Sequence, residues 1–154
     1  MCRKKICLIS SSGGHLEQIR QLKGISERYD CFYVVTRTKT TEAMKQRRYI
    51  VSDLVRKNRA AMLFRMLKMV FEQFIVFFRE RPDVILTTGA AVAIPMCVIG
   101  KILRKKVIYI ESFARMTMPS KTGLFVYKFA DLFIIQWEEL KKYYPRAVYG
   151  GAIY

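Results

Sequence analysis

The chain has 154 residues, 52% of them hydrophobic, and carries 28 Lys and Arg against 12 Asp and Glu, a formal net charge of +16. That length supports one core of real size and excludes two, and no uncharged run approaches the roughly 20 residues that span a bilayer. The four cysteines (Cys2, Cys7, Cys31, Cys97) contain no C-x-x-C pair and three lie in apolar stretches, so they read as reduced core residues, with neither a disulfide frame nor a metal site expected.

Arg3-Lys4-Lys5 precede only four apolar residues, too few for a signal peptide, so a cytoplasmic location is expected. The run Ile6-Cys7-Leu8-Ile9, closed by Ser10-Ser11-Ser12-Gly13-Gly14-His15, reads as a buried parallel strand turning sharply into a helix. Leu16, Ile19, Leu22 and Ile25 recur at helical spacing and start that helix near His15. Glycines let backbone approach a ligand, and free N–H groups at the helix start would face it. This is an anion seat with the chain's only histidine at its lip, or else a tight turn with an ordinary first-turn residue.

Cys31 to Thr36 reads as a second strand. A basic, poorly patterned loop from Arg37 to Arg48 follows, then a short strand at Tyr49-Ile50-Val51. Between Arg37 and Lys68 lie ten basic residues and two acids, a net +8 and half the total. Such a run is a solvated face, a nucleic-acid contact or a contact with an anionic membrane. Ala60 to Arg79 has helical character and would be about 30 Å long. Arg65, Lys68, Glu72 and Arg79 fall on one narrow stripe, while Phe64, Phe71, Phe74 and Phe78 belong to an apolar surface covering most of the circumference. One sheet face needs a stripe little wider than about 100°. Beside the basic segment, an interfacial membrane contact explains both features. Nucleic acid explains the charge but not the phenylalanines, so no nucleic-acid partner is expected. A protein partner and a wholly buried helix stay open.

Pro82-Asp83 ends this helix, and Val84-Ile85-Leu86 makes a strand running into Thr87-Thr88-Gly89. Ala90 to Leu103 reads as a buried helix with Pro95 near its first turn, closed by Arg104-Lys105-Lys106 at the negative end of its dipole. Val107 to Ile110 is a strand leading into Glu111-Ser112-Phe113-Ala114-Arg115. A helix from about Pro119 to Ala130, the strand Leu132 to Ile135, a short helix to Tyr144 and the segment Ala147-Val148-Tyr149 complete the order. Apolar strands alternating with helices give an α/β fold, a Rossmann-like parallel sheet with helices on both faces, occupying residues 1–154 as a single domain.

In such sheets ligands bind beyond the carboxyl ends of the strands, where the winding reverses. The Gly13-Gly14, Thr88-Gly89 and Glu111-to-Arg115 turns all follow strands, so they share one edge. Backbone N–H groups around Ser11, Ser12, Gly13, Gly14, Thr88 and Gly89 suit an anion. His15 takes a proton near neutral pH, Glu111 holds a hydroxyl or orients the imidazole, and Arg115 pairs with a phosphate. Each residue also has a plain alternative: a turn, a partner for a lysine, a solvated charge. A dinucleotide enzyme is disfavoured, because the loop lacks G-x-G-x-x-G and the second strand ends in Thr36-Arg37 with no acid for a ribose. A Walker-type lysine is missing too. A free-standing enzyme acting on a phosphorylated metabolite remains the alternative of another class.

The order S-S-G-G-H-L-E-Q, T-T-G-A-A-V-A-I-P, Y-I-E-S-F-A-R and G-G-A-I-Y resembles the acceptor-side half of split GT-B glycosyltransferases. This is the family of the membrane-anchoring subunit of the UDP-GlcNAc transferase of N-glycan assembly and of the PssD-type proteins of bacterial capsule and exopolysaccharide synthesis. More distantly the chain is similar to the N-terminal domain of MurG. The resemblance implies a GT-B N-terminal-type half that binds a lipid-diphosphate sugar acceptor at the inner face of the plasma membrane; no cofactor or metal is expected. A separate subunit would bind the nucleotide sugar. It further implies that Gly13, Gly14 and Gly89 border the acceptor's diphosphate and first sugar. His15 would be the base and Glu111 a cleft-lining residue. The eukaryotic subunit has an N-terminal transmembrane helix, whereas this sequence starts almost at its first strand. That departure puts anchoring on the basic segment and the Phe-rich helix. With no second glycine-rich half before Tyr154, the chain alone is expected to transfer no sugar.

Overall fold

Seven apolar runs become seven strands: β1 (Lys5–Ser10), β2 (Asp30–Thr36), β3 (Arg48–Val51), β4 (Val84–Thr87), β5 (Lys106–Ile110), β6 (Leu132–Ile135) and β7 (Val148–Tyr149). The computed structural model describes residues 3–53 and 59–153. The strands form one sheet in the order β3-β2-β1-β4-β5-β6-β7, and every pairing is parallel. Winding runs outward from β1 to β3, then returns to place β4 on the other side of β1. The reversal therefore lies between β1 and β4, with Ile9 opposite Thr87 at its carboxyl end.

Period-two alternation splits the core. Cys7 and Ile9 of β1 face one layer with Phe32, Ile85 and Val107; Ile6 and Leu8 face the other with Tyr33, Leu86 and Ile110. The second layer is covered by α1 (Gly14–Gln21) through Leu16 and Ile19. The first is covered by α4 (Arg59–Glu80) and α5 (Ala93–Ile102) through Met69, Val76, Phe77, Ala93, Met96 and Cys97. The sheet is thus Rossmann-like and faced on both sides, as the pattern requires.

Four helical expectations need correction. The helix expected to run from His15 past Ile25 breaks at Leu22, whose ψ of 49° leaves the helical region, and resumes as α2 (Lys23–Arg28). Gly24, a poor helix former, sits in the resumed turn. The loop after β2 holds α3 (Lys39–Glu42), which a reciprocal capping box of Thr38 and Thr41 secures. The α-helix expected from about Pro119 to Ala130 is confined to α6 (Lys121–Val126), capped by Ser120. The last short helix is a 3₁₀ turn, Glu138–Lys142.

The basic segment is not one surface. Arg47 pairs with buried Glu80 and with Asp30, Arg48 donates to the Met44 and Glu42 carbonyls, and Arg37 pairs with Glu42 at 2.6 Å. Lys39, Lys45, Arg65 and Lys68 are exposed, and positions 56 and 57, like Cys2 and Tyr154, lie outside the described residues. A helix buried on all sides is also ruled out. The inward side of α4 carries Met69, Val76 and Phe77 together with two polar groups. These are Gln73, which donates to Val92 O at 2.8 Å, and Glu80, which takes hydrogen bonds from Lys5, Arg47 and Tyr49. The outward side carries the phenylalanines: Phe64 is 72% and Phe71 65% exposed, with Phe74 and Phe78 about half exposed. Among the described residues no helix is long and apolar enough to cross a membrane.

Candidate functional site

The site is assembled by the two turns that flank the winding reversal. β1 ends in buried Ser10. Ser11 and Ser12 follow half-buried, and the Ser12 N–H donates to Thr36 Oγ1 at 3.0 Å, tying the turn to the end of β2. Gly13 then takes φ +86°, a left-handed conformation that disfavours any side chain. Gly13 caps α1 with no side-chain hydrogen bond, so the first-turn amides of Gly14, His15 and Leu16 have no side-chain cap. Gly13 and Gly14 are both exposed. Positive dipole and open backbone coincide there, the arrangement that receives anions at helix starts.

Across the reversal, β4 ends in Thr87 and Thr88, both fully buried, and then Gly89 at φ +114°. Contrary to expectation Gly89 offers no amide to an anion: it is buried, and its N–H donates to Thr87 Oγ1 at 3.0 Å. A Cβ on Gly89 would stand 2.9 Å from Tyr109 Oη and 3.3 Å from His15 Cε1, so this turn lies directly against the imidazole. The contact is reciprocal: His15 Nδ1 lies 2.9 Å from Thr88 O, and Thr88 Oγ1 donates to His15 O at 2.8 Å. A carbonyl only accepts, so Nδ1 carries the proton and Nε2 keeps its lone pair. The ring is half-buried. Burial lowers its pKa below the ordinary 6.5, outweighing the Thr88 hydrogen bond and the field of Glu111, and Arg115 pushes the same way as burial. The imidazole is therefore neutral at pH 7, one nitrogen anchored and the other available as a base.

The remaining expected residues divide. Arg115 is exposed, is near enough to act on His15 electrostatically, and makes no ion pair among the described residues. Glu111 does not line the cleft. It is fully buried, and its carboxylate accepts from the Ser112 N–H, the Ser120 N–H and Oγ, and Tyr144 Oη at 2.6 Å. No hydrogen bond joins it to His15; the Thr88 carbonyl does the orienting. Glu111 instead ties β5 to the start of α6 and to the end of the 3₁₀ turn. The residue that pattern reading passed over is Tyr109. Its hydroxyl sits under Gly89 and bonds Ser120 Oγ at 3.1 Å, linking the Gly89 turn to the Glu111 cluster. The signal was available, since period two from Val107 puts Tyr109 and Glu111 on one covered face. Among the described residues no three His, Cys, Asp or Glu side chains converge where a metal ion would sit.

A family model described as "Oligosaccharide biosynthesis protein Alg14 like" matches residues 6–153. The chain belongs to this Alg14-like family. The UDP-N-acetylglucosamine transferase subunit ALG14 of Homo sapiens is 29% identical over an alignment of 177 residues, covering 96% of this chain and 82% of that protein. The subunit of the same name from Candida albicans is 39% identical over 85 residues, covering 51% of this chain and 39% of that one. Among solved structures, MurG of Acinetobacter baumannii superposes with a TM-score of 0.69 at 18% identity over 88% of this chain. The UDP-N-acetylglucosamine 2-epimerase of Rickettsia bellii superposes with a TM-score of 0.70 at 13% identity over 93%. The chain spans only 42% and 41% of those two structures, and the likeness carries the fold alone. The Alg14-like chain therefore shares one Rossmann-like sheet with GT-B-like proteins more than twice its length.

Proposed function

We propose that this chain is the acceptor-binding half of a two-component glycosyltransferase. It holds a lipid-diphosphate-linked sugar at the cytoplasmic face of the plasma membrane while a separate subunit presents the nucleotide sugar, in polysaccharide or oligosaccharide biosynthesis such as that of capsule or exopolysaccharide. The observation that carries the reading is the anchored imidazole. At the winding reversal, His15 has Nδ1 held by Thr88 O and Nε2 left unbonded beside the open Gly13-Gly14 turn and the buried Gly89 turn. The first-turn amides of α1 and Arg115 would take the diphosphate oxygens. A hydroxyl of the acceptor sugar would then face Nε2.

In the transfer step that hydroxyl oxygen bonds to the anomeric carbon of the donor sugar as the bond to the nucleoside diphosphate breaks. The hydroxyl proton passes to His15 Nε2, and the nucleoside diphosphate leaves with the bonding electrons. Positioned bases of this kind contribute about 10²- to 10⁴-fold. Peripheral attachment would come from the outward phenylalanines of α4 with Arg65 and Lys68 beside them.

The test is turnover of radiolabelled nucleotide sugar on a lipid-diphosphate acceptor, with and without the partner subunit. Expected are activity only in the pair and a loss of about 10²-fold or more in His15→Ala with the complex still assembled. Turnover by the lone chain, or full activity of the His15 variant, overturns the reading.

A further inference from the structure

The second concave feature near the carboxyl edge is apolar and leads away from the seat. Its walls are Met66, Met69 and Val70 of α4 facing Ile94, Pro95 and Val98 of α5, enclosing about 300 Å³ with almost no polar surface. Ala91, two residues beyond Gly89, lines its mouth. One end of the groove thus adjoins the glycine turn that touches His15. The walls are preformed, because Gln73 of α4 donates to Val92 O just ahead of α5 and pins the two helices together. The methionines give a lining that adapts to an irregular chain. No charged residue lines this groove, while the turn at its mouth is flanked by uncapped amides and Arg115.

From this juxtaposition we infer that the groove between α4 and α5 holds the first segment of the hydrocarbon chain of the ligand whose anionic head occupies the Gly13 turn at the start of α1. This rests on the reading of that turn as a diphosphate seat. Charge sorts the two ends of such an amphiphile: the head is drawn to the electropositive start of α1, and the chain goes to a neighbouring groove that offers it no charge to desolvate. Moving the leading carbons from water into this space supplies affinity that the head alone lacks. Phe74 follows the wall residue Val70 by one helical turn on α4 and is about half exposed, so the rest of a long chain would continue along the same helix.

The experiment measures binding of three probes to the full chain by calorimetry: inorganic pyrophosphate, farnesyl diphosphate and farnesol. Val98→Trp fills the groove. Val70→Asp, at an exposed wall position, places a charge in it and serves where the larger residue unfolds the chain. Expected is farnesyl diphosphate binding about tenfold or more tighter than pyrophosphate, pyrophosphate displacing it, and both variants erasing the advantage while retaining pyrophosphate. An advantage that is absent, or that survives both variants, overturns the proposal. Loss of partner-subunit binding in the variants with farnesyl diphosphate unaffected overturns it too, since the groove would then be a protein contact. Farnesol binding that the variants abolish, with neither diphosphate bound, overturns the reading of the seat and supports the groove on its own.

Discussion

With Nδ1–H spent on Thr88 O, His15 has one nitrogen left, and the proposed role as a base depends on that nitrogen being unprotonated. Burial holds its pKa below 6.5. The rate of the assembled pair should therefore be flat above pH 7 and fall as pH drops through a value below 6.5, read from a pH–rate profile. The same shift acts on stability with the same sign. The unfolded chain binds the proton more readily than the folded one, so His15 weakens the fold as pH falls below about 6.5. His15→Gln should flatten that part of a denaturant-midpoint curve. The glycines separate as sharply. Gly89→Ala should cost about 1–3 kcal/mol in chemical denaturation, because the new methyl meets Tyr109 and His15 at a left-handed φ. Gly14→Ala meets nothing within 4 Å and should fold normally. His15 and both glycine turns were legible because small residues after apolar runs have few other uses. Glu111 was misjudged because a carboxylate after a strand looks solvent-facing until its register with Tyr109 is followed inward. Its partners Ser120 and Tyr144 are 9 and 33 residues away, beyond the reach of local pattern.

Among the elements, α4 buries two polar groups, Gln73 and Glu80, among its inward apolar residues while it turns phenylalanines outward, and that division locates its energetics. Phe77 is buried and its truncation to Ala should cost about 3–5 kcal/mol. Phe71→Glu with Phe74→Glu should leave the denaturation midpoint within about 0.5 kcal/mol of the parent, yet weaken flotation with anionic liposomes. A double variant that floats like the parent removes α4 as the membrane contact. The sequence showed a helix too apolar for its sheet but not which side faced out, since the buried Gln73 and Glu80 find their hydrogen-bond partners only in distant groups at Val92, Lys5 and Arg47. Glu80 is a carboxylate whose burial would raise its pKa. Hydrogen bonds from Tyr49, Arg47 and Lys5 outweigh that and hold it below the ordinary range. It stabilises the fold at neutral pH and ceases to as pH falls through that lowered value.

For the molecule as a whole, strand periodicity implied a parallel sheet with its turns on one edge. Which turns meet is decided by β4 inserting beside β1, a long-range pairing that no local run encodes. Charge is the other global property, and the fold redistributes it: Arg47 pairs with buried Glu80, Arg48 binds backbone carbonyls and exposed Arg37 pairs with Glu42, leaving a smaller unpaired set than +16 suggests. Membrane affinity should accordingly have two parts that salt pulls apart. Between 0.1 and 1 M salt the Debye length shrinks from about 10 to about 3 Å, so attraction of exposed Lys and Arg to anionic lipid fades, while insertion of Phe64, Phe71, Phe74 and Phe78 does not. Flotation should fall over that range to a residual plateau in the parent and to nothing in the Phe71→Glu, Phe74→Glu variant. Binding that ignores salt would deny the electrostatic part. A plateau shared by both proteins would put the apolar contact on some other surface, with the exposed Phe113, Met116 and Met118 of the loop after β5 the next to test.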